Sequence, residues 1–268
     1  MITSSSNSRV KQIVQWQNKA RERRSAGIFL VEGFKMFGEA PEEWIREIYI
    51  SDGIWDRVSQ EPEIKDKLIR KGFETVSQEL FRKMSDTQSP QGILCVMERP
   101  RYELERLLAV PDPLFIVLEN LQDPGNLGTI VRTGEGAGVT GIIMGGGTAD
   151  IYNPKTIRAT MGSVFRVPFL YTEDLCGTVE QLRENAIRVY AAHLDGQRYY
   201  DCFSFREGTA FLIGNEGAGL SRELASQADS YLKIPMEGCV ESLNAAVTAS
   251  VLMYEVHRQR HKTAFYHQ

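Results

Sequence analysis

The chain has 268 residues, of which 42% are hydrophobic and 25% charged, an ordinary balance for a soluble globular protein. No apolar run approaches the roughly 18 residues of a membrane-spanning helix, and the opening MITSSSNSRVKQIVQ has neither the apolar core nor the small-residue cleavage site of a secretion signal. The net charge of −4 taken alone disfavours a nucleic-acid partner. The scattered cysteines Cys95, Cys176, Cys202 and Cys239, with no CxxC pair, argue against a zinc site or a disulfide framework and fit free thiols in a reducing cytoplasm.

In chain order, a helix is expected over 8–24, with Val10, Ile13, Val14 and Gln17 on one side and Ser6 or Asn7 as its cap. Residues 1–27 carry Arg9, Lys11, Lys19, Arg21, Arg23 and Arg24 against the lone acid Glu22, a pattern that suits phosphates as well as a solvated helix face. Then come a strand over 27–31 with a Gly start, a helix over 34–40 stopped by Pro41, a strand over 45–50 and a turn at Ser51-Asp52-Gly53. A helix over 63–70, a strand over 73–76, a helix over 78–84 and a strand over 92–97 complete a small α/β domain over 1–99. Pro100, Pro111 and Pro113, around a charged stretch, mark a linker over 100–112.

The second domain is expected over 113–268. Leu114 to Leu118 is apolar throughout, as in a strand buried on both faces. A short helix over 129–136, a strand over 141–144, an extended segment over 165–170 and a helix over 179–185 follow. Strands over 187–192 and 210–213, a helix over 221–228 and a strand over 231–234 lead to a long helix over 242–259 with a wide apolar surface. The alternation predicts an α/β domain with a mainly parallel sheet.

Several familiar signatures are set aside. Gly136-x-Gly138-x-x-Gly141 sits after a helix and before a strand, the reverse of a dinucleotide fingerprint. Gly145-Gly146-Gly147-Thr148 lacks the Lys-Ser/Thr of a P-loop. No G-x-S-x-G elbow is present, and His193, His257, His261 and His267 have no evident partners for a triad.

Three segments stand out, each where a predicted strand ends, the place where parallel sheets hold ligands. In the first, Asp123-Pro124-Gly125-Asn126 turns out of a buried strand, and Asn126 and Arg132 bring an amide and a guanidinium to one edge. A guanidinium fork suits phosphate and sugar, although an N-capping Asn and a surface Arg would read the same way. In the second, Gly214-Asn215-Glu216-Gly217-Ala218-Gly219 holds more glycine than a simple turn needs, with a carboxylate in its middle. In the third, Ile234-Pro235-Met236 leads through a Gly-containing loop to Ser242-Leu243-Asn244. There Ser242 is expected as the N-cap of the last helix and Asn244 just inside it, a poor helical position that hints at another task.

Together these segments resemble the SpoU (TrmH) family of RNA 2′-O-ribose methyltransferases, within the SPOUT superfamily, over residues 113–260. The front of the chain, through Asn7-Ser8-Arg9-Val10-Lys11 and Phe29-Leu30-Val31-Glu32-Gly33, is similar to the RNA-binding substrate domain often attached to that family. The resemblance implies a trefoil-knotted α/β domain, a homodimer and S-adenosylmethionine as cofactor. It places cofactor contacts at Gly214, Ile234 and Leu243, with Asn215 and Met236 beside them. It also makes Arg132, Asn126, Glu216, Ser242 and Asn244 the catalytic set. In the family the Arg is assigned the role of general base. Because a guanidinium holds its proton tightly, binding phosphate and stabilising the developing alkoxide is an equal alternative. RNA contacts are expected at Arg9, Lys11, Arg21, Arg23 and Arg24, and no metal is expected. The substrate is expected to be ribosomal RNA of the large subunit, with transfer RNA as runner-up. Two other readings stay open: a module that binds RNA or ribosomes without turnover, and a small-molecule enzyme that uses the Gly214–Gly219 loop for a nucleotide.

Overall fold

The computed structural model describes residues 1–261; His267 and residues 262–268 of the expected second domain lie outside the described residues. The chain divides into two compact units, one of 1–101 together with 150–165, the other of 102–149 together with 166 onward.

In the first unit, α1 (Ser8–Asn18) starts at Asn7, whose side chain accepts from the Arg9 N–H at 2.9 Å. The helix expected over 8–24 is two helices, because Lys19 leaves the helical region before α2 (Ala20–Ala26). Arg23 supplies the physical reason. Its guanidinium donates to the carbonyls of Trp16 at 2.6 Å and Gln17 at 3.1 Å, two of the carbonyls that a helix end leaves unpaired. It also pairs with Asp150 at 2.6 Å.

The unit continues with β1 (Ile28–Glu32), α3 (Phe34–Glu39), β2 (Ile45–Ser51), α4 (Trp55–Ser59), α5 (Pro62–Lys71), β3 (Glu74–Val76), α6 (Gln78–Met84) and β4 (Ile93–Glu98). The sheet order is β1-β4-β2-β3, with β4 antiparallel to both neighbours and β2 parallel to β3. Val10, Ile13, Leu80, Phe81 and Met84 pack against Tyr49 and Leu94 in one core cluster. Buried Lys67 donates to the carbonyls of Phe37, Gly38 and Ala40, so α3 ends on an ammonium much as α1 ends on Arg23.

The second unit opens with α7 (Leu104–Leu108) inside the stretch read as a linker. Leu104, Leu107 and Leu108 pack onto the sheet's core cluster, which gives these residues a structural task beyond spacing. Next come β5 (Leu114–Leu118), α8 (Pro124–Ala137) and β6 (Gly141–Gly145). After Ala149 the chain joins the first unit as far as Phe165. There α9 (Pro154–Thr160) follows an Asn153 cap, and the Tyr152 and Phe165 rings lie 4.7 and 6.4 Å from Phe29. The remainder is β7 (Phe169–Thr172), α10 (Leu175–Glu184), β8 (Arg188–Ala192), β9 (Arg198–Tyr199), β10 (Thr209–Ile213), α11 (Arg222–Ala225), β11 (Ser230–Lys233) and α12 (Ala245–Arg260). The seven strands are all parallel in the order β7-β6-β5-β10-β8-β11-β9, and β5 and β10 are buried at every residue, as their unbroken apolar runs predict.

α8 starts at Pro124, not at Thr129. Asp123 accepts the Asn126 N–H at 2.7 Å, and Pro124 takes the first helical position, where its missing N–H costs nothing. Two later glycines of α8 sit against neighbouring side chains. A side chain at Gly134 would press on Val139 and approach Met253 of α12, and one at Gly136 would meet the Tyr254 hydroxyl.

Truncating Arg23 would leave two helix-end carbonyls unpaired and take from Asp150 its 2.6 Å ion pair, with Arg99 at 3.9 Å and the Tyr152 N–H remaining. Arg23→Ala should lower the unfolding free energy by about 3 kcal/mol, seen as a lower urea midpoint at unchanged slope. A loss under about 1 kcal/mol would mean that water replaces the guanidinium.

Candidate active site

The C-terminal ends of β5, β10 and β11 deliver the three segments singled out above. Gly214, Asn215, Glu216, Ile234, Met236, Ser242, Leu243 and Asn244 all line one cavity of about 510 Å³ in the second unit, within the range of small-molecule sites. Asn126, at the start of α8, joins it through two hydrogen bonds. Its Nδ2 donates to Glu216 Oε1 at 2.9 Å, and its Oδ1 accepts from Asn244 Nδ2 at 3.0 Å. Three residues more than a hundred positions apart at their extremes thus form one directed chain.

Asn244 corrects an expectation. It is itself the N-cap of α12, its Oδ1 accepting from the N–H groups of Ala246 at 2.9 Å and Val247 at 3.3 Å, while Ser242 lies before the helix. Its position is therefore a favourable one for an asparagine. The amide works at both ends, oxygen to the helix and nitrogen to Asn126.

The Glu216 carboxylate also receives the N–H groups of Gln122 and Asp123 at 3.4 Å each, just before α8. Burial pushes its pKa up. The hydrogen bonds from Asn126 and from the backbone outweigh this and hold it below the ordinary carboxylate value. A carboxylate so held is an acceptor and an anchor, and a weak proton acceptor.

The glycine loop is shaped mainly by Asn215. Its Oδ1 accepts from the N–H groups of Gly217 at 2.9 Å and Ala218 at 3.0 Å, and its backbone exchanges two 3.0 Å hydrogen bonds with Gly219. A Cβ at Gly214 would overlap the backbone of Gly219 and Leu220, so only glycine fits there. The Gly217 and Ala218 amides are thus already satisfied within the loop.

Arg132 lies six residues after Asn126 on α8, about 9 Å further along the helix axis. It is exposed, does not line the cavity, and makes no side-chain hydrogen bond or ion pair among the described residues. Of the expected RNA contacts, Arg9, Lys11, Arg21 and Arg24 are exposed. Arg23 is the exception: it is 2% exposed and its donors serve helix ends and Asp150, so it is withdrawn as an RNA contact. His193 and Leu194 after β8, Lys233 ending β11 and Thr248 in α12 also line the cavity and were not anticipated. The strand-end rule points to His193 and Lys233; Thr248 carries no signal before the helix is placed. Among the described residues no cluster of His, Cys, Asp and Glu could hold a metal ion, and no helix is long and apolar enough to cross a membrane.

A parallel sheet whose strand-end loops share one cavity, tied by a Glu–Asn–Asn hydrogen-bond chain, defines an α/β protein that binds a small-molecule ligand at the carboxyl edge of its sheet. The family model of the SpoU rRNA Methylase family matches residues 113–254, and that of the MRM3-like substrate binding domain matches residues 7–95. The chain is 33% identical, over 95% of its length and 98% of the relative's, to the 23S rRNA (guanosine(2553)-2′-O)-methyltransferase RlmP of Bacillus subtilis. It is 31% identical, over 94% of its length and 91% of the relative's, to the 23S rRNA (uridine(2479)-2′-O)-methyltransferase of Streptomyces viridochromogenes. Among solved structures, the AdoMet-bound rRNA methyltransferase from Sinorhizobium meliloti is similar with a TM-score of 0.83 at 30% identity, covering 96% of this chain and 97% of that one. The chain belongs to the SpoU rRNA methylase family.

The depressed pKa of Glu216 fixes the sign of a pH effect. Its contribution to stability is present above the unfolded carboxyl pKa and is lost as pH falls through the folded value. Because Glu216 is exposed, the contribution is small, roughly 0.5–1 kcal/mol. Glu216→Gln should be less stable than wild type by that amount at pH 7, and the gap should close as pH falls through the lowered carboxyl pKa, in paired urea titrations. A deficit that persists unchanged in acid would show that charge plays no part.

Proposed function

We propose that this chain transfers a methyl group from S-adenosylmethionine to a ribose 2′-hydroxyl of structured RNA, with 23S ribosomal RNA as the substrate. The observation that carries the reading is the one cavity lined by the loops after β8, β10 and β11 and tied to the start of α8 by the Glu216–Asn126–Asn244 chain. The rRNA 2′-O-methyltransferase relatives support the substrate.

The cavity suits the cofactor. Ile213, Leu220, Ile234 and Leu243 offer apolar surface to a purine, strand-end backbone groups offer hydrogen bonds, and Glu216 and Glu241 give an anionic wall to a cationic sulfur centre. When bound, S-adenosylmethionine supplies a methyl group activated by its sulfonium.

Gly214, Ile234 and Leu243, with Asn215 and Met236, hold the cofactor in this reading. Asn126 is fixed at both ends of its amide and cannot swing, so it presents one edge to the ribose beside Ser242 and Asn244. Glu216 orients Asn126; its hydrogen bonds make it a poor general base. Arg132, whose guanidinium has no partner among the described residues, binds the RNA phosphate and stabilises the charge that develops on the 2′-oxygen as it takes the methyl group, the hydroxyl proton passing to that phosphate or to water and S-adenosylhomocysteine leaving. Exposed Arg9, Lys11, Arg21 and Arg24 take phosphates of the same RNA.

Exposed Val247 and Tyr254 on α12 support a homodimer through that helix. The knotted threading of the family is part of the same reading, and the free thiols support a cytoplasmic setting.

The test is methyl incorporation into RNA from a strain lacking the protein, with the modified nucleotide mapped. Arg132→Ala should reduce turnover on 23S rRNA at least about 100-fold while S-adenosylhomocysteine affinity stays within about twofold. Turnover unchanged in Arg132→Ala would remove the role given to it, and incorporation into transfer RNA alone would replace the substrate.

A further inference from the structure

We propose that Glu119 is a positioning residue for the cofactor loop: it clasps residues 214–220 at both ends and so sets the affinity for S-adenosylmethionine. The proposal rests on the reading above that this loop borders the cofactor.

The loop leaves β10 at Ile213 and ends at Ser221, the N-cap of α11. Inside, it is closed by Asn215, but residues 216–219 are exposed and bring little of the loop into the core. What holds it is the residue pair that ends β5. The Glu119 N–H donates to the Ile213 carbonyl at 3.0 Å, where the loop begins. The Glu119 carboxylate accepts both the N–H and the hydroxyl of Ser221 at 2.7 Å each, where the loop finishes. Two short hydrogen bonds from one residue onto one carboxylate are the strong, directional kind.

Asn120 adds the middle point. It sits at φ +53°, a conformation that turns the chain, and its carbonyl accepts from Asn215 Nδ2 at 2.8 Å. A Cβ at Gly147 would overlap the Asn120 side chain, so Asn120 is confined from its other side as well. The loop that carries Gly214, Asn215 and Glu216 is thus held at its start, middle and end by two consecutive residues that do not themselves line the cavity.

Removing the Glu119 carboxylate frees the far end of the loop while leaving the β5–β10 ladder intact, because that ladder uses backbone groups alone. A loop ordered in advance binds its ligand without the cost of ordering it at the moment of binding. Loosening the clasp should therefore appear first in cofactor affinity and reach RNA affinity little.

Glu119→Ala, Glu119→Gln and Ser221→Ala are compared with the wild-type full chain. The measurements are S-adenosylhomocysteine binding by calorimetry, amide hydrogen exchange at Gly217 and Ala218, and separate KM values for cofactor and RNA. In Glu119→Ala we expect at least tenfold weaker binding, faster exchange at both amides, a raised KM for the cofactor and an RNA KM within twofold of wild type. Glu119→Gln, which still accepts from Ser221, should recover most of the affinity. Ser221→Ala, which loses one of the two hydrogen bonds, should fall between; it carries the test alone if Glu119→Ala does not fold. Binding within twofold of wild type in both Glu119→Ala and Ser221→Ala overturns the clasp, as does an equal loss of cofactor and RNA affinity. A wild-type chain that fails to bind S-adenosylhomocysteine overturns the functional reading instead, while the exchange rates still report whether Glu119 holds the loop.

Discussion

The second unit depends on the side-chain amide of Asn126 having one orientation. An amide has a donor end and an acceptor end, and each partner here accepts only one of them. Glu216, held ionised, can only accept, so it takes Nδ2. That leaves Oδ1 for Asn244, which must then present its own nitrogen, so that its oxygen is the atom left to cap α12. The polarity set by one carboxylate thus runs through two amides to the start of a 16-residue helix. The β10 loop, the start of α8 and the start of α12 are placed relative to one another by direction of donation as well as by packing.

Packing then makes the same arrangement close. α12 packs on α8: Gly134 of α8 lies under Met253, Gly136 under the Tyr254 hydroxyl, and α12 buries Ala246 and Ala249. Glycines in a helix interior cost stability, and α8 carries four of them. At Gly134 a Cβ would already touch Val139, and at Gly136 it would crowd the Tyr254 hydroxyl, so these positions leave little room for a larger side chain. Helix propensity yields to close approach, and the close approach lets a short amide reach from one helix start to the other.

This conflict explains what was and was not legible in the sequence. The parallel sheet was legible, because buried strands write themselves as unbroken apolar runs, and the three site segments were legible because they follow those runs. The length of α8 was not, since Pro-Gly-Asn reads locally as a turn and only the Asp123 cap and the α12 contact make it helical. Asn244 was misread for a related reason: Ser242 and Asn244 are both good caps, and the choice between them depends on Asn126, which is 118 residues away. Arg23 shows the limit most sharply. Its neighbours in sequence are exposed cations, and nothing local announces that this one is turned inward onto Trp16, Gln17 and an aspartate 127 residues distant.

Charge was misleading for a different physical reason. A net value of −4 counts against binding RNA only if the charge is spread evenly. Here Lys and Arg outnumber Asp and Glu in the first unit, and the reverse holds in the second. With a Debye length near 10 Å at moderate salt, a phosphate feels the charges around it and not the sum over the molecule. Several acids of the second unit are also engaged locally, Glu135 with Arg166, Asp229 with Arg183 and Glu255 with Arg258, and Asp174 caps a helix start. In the proposed reading Arg132, exposed on α8 and without a partner among the described residues, is a cation that such a local phosphate could meet.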